Sequence, residues 1–171
     1  MTEPRELPAV RTRPDAYEVA RLLHEEMPHI SLRGISILLG QVLVETGGIK
    51  ACWCWNLGNA KSRHGDGRSW TYFECGEELR IEVANEQRAR FPDLVTFVGS
   101  PYVRDGKRMQ SCRFKPRHEY SRFRAFESLR EAVSDHCRLL ELPRYRQAIG
   151  VADAGNPEAT VRAFYAAGYF T

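Results

Sequence analysis

No apolar run in this 171-residue chain approaches membrane-spanning length, which excludes a transmembrane helix, and membrane insertion is not expected. There is no internal repeat, so a solenoid or propeller is excluded, and no low-complexity segment. The opening Met-Thr-Glu-Pro-Arg-Glu-Leu-Pro carries acids and prolines where a signal peptide needs a basic start and an apolar stretch. A soluble protein without a standard export signal is therefore expected. Cysteine is sparse and irregular: five residues, at 52, 54, 75, 112 and 137, form an odd set that cannot close into intrachain pairs alone. Reduced thiols and synthesis in the cytoplasm are the simplest reading. Cys52-x-Cys54 lacks the two-residue spacer of a zinc knuckle and has no second pair to complete four ligands, so neither a metal nor another cofactor is expected. Excess charge is also missing, since the net is only +3.

What remains, 43% hydrophobic and 27% charged residues, fits one globular domain over 1–171 with a substantial core. Thr12-Arg13-Pro14-Asp15 predicts a helix running to about Met27, where Pro28 stops it. Ser31 predicts the cap of a second helix, although Gly34 is a weak helix former near its start. From Gly47 to about Ser69 the periodicity is lost and loop is expected. Trp70–Phe73 reads as a short strand and Glu77–Ala89 as a helix. Leu94–Val98 is β-like, and Asp105-Gly106 between the extended segments of Tyr102–Phe114 signals a hairpin. Ser128–Glu141 is a helix with Leu129, Ala132, Val133, His136, Leu139 and Leu140 on one face, and Asn156-Pro157-Glu158 opens a last helix that ends at Gly168. The expected class is α+β, mainly α: a helical part with a small β lobe.

One residue breaks the pattern of the second helix. Ile35, Leu38, Leu39 and Val42 recur at helical spacing, and Glu45 continues the same stripe, so a carboxylate occupies a core-facing position. Gly47 and Gly48 end the helix there, at the negative end of its dipole. Dipole and partial burial both favour the protonated acid, the form that general acid catalysis on a glycosidic oxygen requires. A Glu that simply turns out to solvent at a helix end is the competing reading.

Three segments in order carry a resemblance to the peptidoglycan-hydrolysing glucosaminidases of glycoside hydrolase family 73, in the lysozyme-like superfamily. Glu45-Thr46-Gly47 with Asn56-Leu57-Gly58-Asn59-Ala60-Lys61 looks like the family's catalytic Glu and its Asn-Leu-Phe-Gly-Ile-Lys type loop, without the aromatic between Leu and Gly. Arg122–Leu129 with Asp135-His136, Leu139-Leu140 and Arg144-Tyr145 is similar to the Phe-Arg stretch and the helix after it. Ala166-Ala167-Gly168-Tyr169-Phe170-Thr171 resembles the Gly-Tyr-Ala-Thr element that supplies a tyrosine to the active cleft. The resemblance implies a lysozyme-like fold whose β lobe forms a cleft with the helical part, Glu45 as general acid, and a second carboxylate in the β lobe. Glu74 is the candidate for that carboxylate, with Glu77 and Glu78 as alternatives. It further implies β-1,4 cleavage after N-acetylglucosamine; muramidase or lytic transglycosylase action by the same acid is the nearest enzymatic alternative.

Substrate-binding candidates are Trp53 and Trp55, whose rings suit pyranose faces, Asn56, which also fits an Asx turn, and Tyr169, as a hydrogen-bond donor. His136 on an apolar helix face reads as a core histidine. Arg104, Lys107, Arg108, Arg113, Lys115, Arg117, Arg122 and Arg124 are opposed only by Asp105 and Glu119, a local basic stretch. It admits a non-catalytic module binding cell wall or nucleic acid as the rival to an enzyme, or a solvated face, although the near-balanced net charge makes nucleic acid a poor partner. The partner expected instead is the glycan strand of peptidoglycan. Lacking an export signal, such a hydrolase acts on the wall after release by a phage or a secretion machine, with a delivery particle or an immunity protein as a further partner.

Overall fold

Apolar residues at helical spacing build the first two helices of the computed structural model, which describes residues 3–50 and 52–169: α1, Ala16–Glu26, and α2, Leu32–Glu45. Asp15, not Thr12, caps α1 by accepting from the Glu18 N–H at 3.0 Å. Thr12 is extended instead, in a two-residue strand β1 (Arg11–Thr12) that pairs antiparallel with β2 (Cys52–Trp53) inside the expected loop. Ser31 caps α2 as expected, accepting from Gly34 N–H at 3.2 Å. Gly34 is explained by packing: a Cβ there would lie 2.6 Å from Ile30 Cγ2 and 3.0 Å from the Asp153 backbone. Asp153 ends a helix that sequence periodicity did not reveal, and its carboxylate accepts from Ser31 N–H at 2.6 Å.

The chain separates into two compact units by its contacts, Val10–Ala60 with Ala125–Thr171, and Met1–Ala9 with Lys61–Arg124. The first is helical. It holds α1, α2, then α4 (Leu129–Leu140), α5 (Arg146–Asp153) and α6 (Pro157–Ala166). Ser128 and Asn156 cap α4 and α6 through their side chains, at the predicted positions. Val19, Leu22, Leu23, Leu38, Val42, Val133, Leu140 and Phe164 form its core, all at most 2% exposed. Burying each such side chain contributes about 1.5–3 kcal/mol relative to leaving it in water.

The second unit carries the β structure. Strands β4 (Cys75–Arg80), β6 (Lys107–Phe114) and β5 (Val95–Arg104) form an antiparallel sheet in that order. Helix α3, Ile81–Arg90, contributes Ala84 to a small core with Val95, Cys112 and Phe114. The helix expected over 77–89 is present from Ile81, and only its first four positions are strand: Cys75 to Arg80 alternates between half-buried and exposed, paired residue by residue with Phe114 to Met109. Pairing overrides the helical preference of Glu-Glu-Leu-Arg. The hairpin turns where predicted, Asp105 and Gly106 both being left-handed (φ 50° and 70°), as a type I′ turn requires. Strand β3 (Trp70–Tyr72) pairs with β7 (Arg122–Arg124), a strand whose partner is too distant in sequence to be anticipated. The fold is thus mixed α+β. Among the described residues no helix is long and apolar enough to cross a membrane.

Candidate functional site

Glu45 is the last residue of α2, and the chain leaves it through Gly47, Gly48 and Ile49, all left-handed (φ 56°, 68° and 69°). Thr46, wholly buried, locks this exit: its hydroxyl donates to Val42 O at 2.7 Å and accepts from Ile49 N–H at 3.0 Å. The Glu45 side chain is half-buried rather than turned out to water. Burial pushes its carboxyl above the ordinary value of 4.5, and a hydrogen bond with Asn59 opposes the rise without cancelling it. Asn59 also donates its amide to the Glu45 backbone carbonyl, one of the orphan acceptors at the helix end.

The loop carrying Asn59 is shaped from within. Asn56 is 2% exposed, and its amide closes both ways on Ala60, donating to its carbonyl at 2.9 Å and accepting from its N–H at 2.9 Å. Of the two roles foreseen for Asn56, loop shaping is the one its contacts serve. Trp53 is half-buried on β2, opposite Arg11. Trp55 packs against the helical core, its backbone N–H donating to Thr12 Oγ1 at 3.0 Å. Among the described residues, four of the six non-glycine residues with positive φ are Ile49, Cys54, Trp55 and Asn59, so backbone strain concentrates in the segment after Glu45. Strain of this kind costs about 1–3 kcal/mol per residue and is held at functional sites by surrounding structure.

Tyr169 reaches the same patch from the C-terminal end of the unit. Its ring packs on Phe164 and Tyr145, with centroids 5.1 and 5.5 Å away. Burial and then the negative charge of Glu45 push its hydroxyl well above the ordinary tyrosine value, with the Gln41 amide opposing, so it stays a protonated donor. Phe170 and Thr171 of the terminal motif lie outside the described residues. Gly58 explains how the loop approaches so closely: a Cβ there would sit 2.9 Å from the Tyr169 hydroxyl and 3.1 Å from His136 Nδ1. His136, on α4, is 4% exposed, and burial lowers its pKa from 6.5 to about 4 despite the adjacent Asp135, so the imidazole is neutral at physiological pH. The helical unit therefore gathers Gln41, Glu45, Gly58, Asn59, His136 and Tyr169. The sequence reading had singled out Glu45 and Tyr169 and set His136 aside as core. Gln41 was legible, one turn before Glu45 on the same helix; Asn59 was not, because its role depends on how the loop folds back.

This packing makes Gly58→Ala a sharp probe. His136 is fixed on its helix and cannot retreat, so the methyl should cost about 1–3 kcal/mol and lower the thermal midpoint by about 2–10 °C. Gly40→Ala on α2 is the control, since a Cβ there meets nothing within 4 Å and the midpoint should hold or rise. Equal effects of the two changes in differential scanning calorimetry would refute the tight fit at 58.

In the other unit, Glu74 is exposed, its carboxylate 3.5 Å from Arg113 Nε. Glu77 pairs with Lys61 at 2.6 Å and Glu78 with Arg104. The basic stretch is largely occupied within its own unit: besides these pairs, Arg117 meets Glu6 at 2.9 Å and buried Arg122 lies over the Trp70 ring at 4.2 Å. Lys107, Arg108 and Lys115 are exposed, a weaker field than eight unopposed cations would produce. No protein-family model matches this chain, nor does any curated protein or solved structure. Function must therefore be argued from the site.

Proposed function

We propose that this chain is a peptidoglycan glycosidase of lysozyme-like fold that cleaves the β-1,4 glycan backbone, an endo-β-N-acetylglucosaminidase with Glu45 as general acid. One observation carries the reading: a half-buried carboxyl whose pKa burial raises, at the strained end of α2, beside the protonated hydroxyl of Tyr169. A carboxyl whose pKa is raised above the ordinary carboxylate range is better suited to deliver its proton to the leaving glycosidic oxygen. The Tyr169 hydroxyl, expected to reach the sugar, is instead buried beneath Gly58, where it lies beside Glu45 and shapes the patch from behind. Trp53, half-buried rather than sealed in the core, supplies a face on which a pyranose can stack. Glu74 is the proposed second carboxylate, acting as base for a water or as nucleophile at the anomeric carbon. The glycan strand is the proposed substrate partner.

Mass spectrometry of fragments released from purified peptidoglycan, with and without borohydride reduction, tests this directly. Fragments ending in reducible N-acetylglucosamine are expected. Reducible or anhydro N-acetylmuramic acid ends would reassign the bond to a muramidase or lytic transglycosylase. Folded protein that releases no glycan would leave a binding module in its place.

A further inference from the structure

Lys61 follows directly on the Asn56–Ala60 loop, and the glycosidase reading gives it no task. Its ammonium is nevertheless tightly held. Nζ lies 2.6 Å from Glu77 Oε1, donates to Tyr120 O at 2.5 Å and sits 3.8 Å from the centre of the Phe123 ring. The fourth neighbour is sulfur: Nζ is 3.6 Å from Cys75 Sγ, and that thiol donates to the same Tyr120 carbonyl at 3.2 Å. Nitrogen and sulfur are thus fixed side by side by a shared acceptor. Cys52, Cys54, Cys112 and Cys137 are each at most 4% exposed, whereas Cys75 is only half-buried.

We propose that Lys61 and Cys75 are a covalent modification site, in which a peroxide-class oxidant joins the two side chains through one oxygen atom as an N–O–S bridge. The reaction balances with hydrogen peroxide as the oxidant. The Cys75 thiolate attacks one peroxide, whose O–O bond breaks to give the sulfenic acid, the first rung of cysteine oxidation, and a water. The neighbouring amine, its ammonium proton passed through Glu77 to solvent, is then joined to the sulfenic oxygen as a second peroxide accepts the remaining electrons. In total one thiol, one amine and two peroxides give the bridge and three waters. Sulfur and nitrogen each give up two electrons; one S–H and one N–H bond break, and S–O and O–N bonds form. Proximity supplies the selectivity, since the second peroxide reaches a sulfenic acid already held against a fixed amine. Because the attacking species is the thiolate, the rate rises with pH. Burial, Glu77 and Glu74 hold the Cys75 thiol up and Lys61 pulls it down, so the reaction quickens toward mildly alkaline pH.

This inference is independent of any glycosidase activity, and its test reads mass rather than turnover. The whole chain is treated with hydrogen peroxide and examined by intact-mass and peptide-mapping mass spectrometry. The expected result is a gain of about 14 Da, one oxygen added and two hydrogens lost, in a cross-linked peptide pair containing Lys61 and Cys75 that dithiothreitol returns to the original mass. Lys61→Arg retains the cation beside Glu77 and should instead carry Cys75 on to the sulfinic acid, a gain of about 32 Da, while Cys75→Ser should gain neither mass at this site. Circular dichroism confirms that both variants are folded. Over-oxidation of Cys75 in the parent chain with Lys61 unlinked, a disulfide dimer through Cys75, or an unmodified Cys75 would each overturn the proposal.

Discussion

Glu45→Gln is expected to lower glycan release by roughly 10²–10⁴-fold, the usual contribution of a positioned general acid, while leaving the circular dichroism spectrum unchanged. The amide keeps the shape and removes the proton. Stability supplies an independent readout. The Glu45 carboxyl has its pKa raised from 4.5 by burial, so the folded chain holds this proton more tightly than the unfolded chain. Its favourable contribution is complete below 4.5 and is lost as pH rises through the folded value, so at neutral pH the ionised form is a liability. The glutamine variant should therefore be no less stable than the parent at pH 7. In the active enzyme the alkaline limb of the pH–activity profile should lie above the ordinary carboxylate range. Asn59→Ala removes the bond that opposes the rise and should move that limb further up. Retained lysis by a folded Glu45→Gln protein would end the case for Glu45 as the acid.

Acidification should destabilise the helical unit through His136. Above about 6.5 the imidazole is neutral whether the chain is folded or not, and it contributes no pH dependence. Below that value the unfolded chain takes up a proton that the buried side chain refuses until about 4. Stability is therefore lost as pH falls from 6.5 toward 4, by about 3 kcal/mol over the full interval. His118, whose pKa burial also lowers, acts in the same direction, while protonation of Glu45 offsets part of the loss. Urea unfolding of the parent at pH 7 and pH 4.5 should show a clear drop in midpoint, and His136→Gln should remove much of it. Parallel pH dependence in the two proteins would mean that His136 is accessible to protons in the native state. The consequence for the site is direct: a neutral imidazole beside Gly58 carries no proton to give near neutral pH, and the burial-raised carboxyl of Glu45 is the acid of the patch.

Local chemistry was legible wherever a single residue decides a local conformation. Ser31, Ser128 and Asn156 cap helices at the positions their side chains predict, and Asp105-Gly106 turns the hairpin because both residues tolerate positive φ. Thr12 failed as a cap because Asp15, three residues on, does the same work and frees Thr12 to pair with Cys52. The strand residues Glu77–Arg80 were misread for a related reason: their sequence favours helix, and only pairing with β6, about thirty residues on, makes them extended. Helix α5 was missed because it is short: Ala148, Ile149 and Ala152 do fall at helical spacing, but eight residues carry barely two turns of pattern.

The candidate site divides along the same line. Sequence by itself determined that a carboxylate continues the apolar stripe of α2 to the helix end, because the 3.6-residue period is a property of the backbone and needs no partner. Tertiary structure alone decided that Asn59 bonds to Glu45, that Gly58 must lack a Cβ beneath Tyr169 and His136, and that Lys61 stands against Cys75. Those relations join residues between fourteen and more than one hundred positions apart. The chain brings such residues together only by burying a shared core, and the electrostatics of each group then follow from what that burial places beside it.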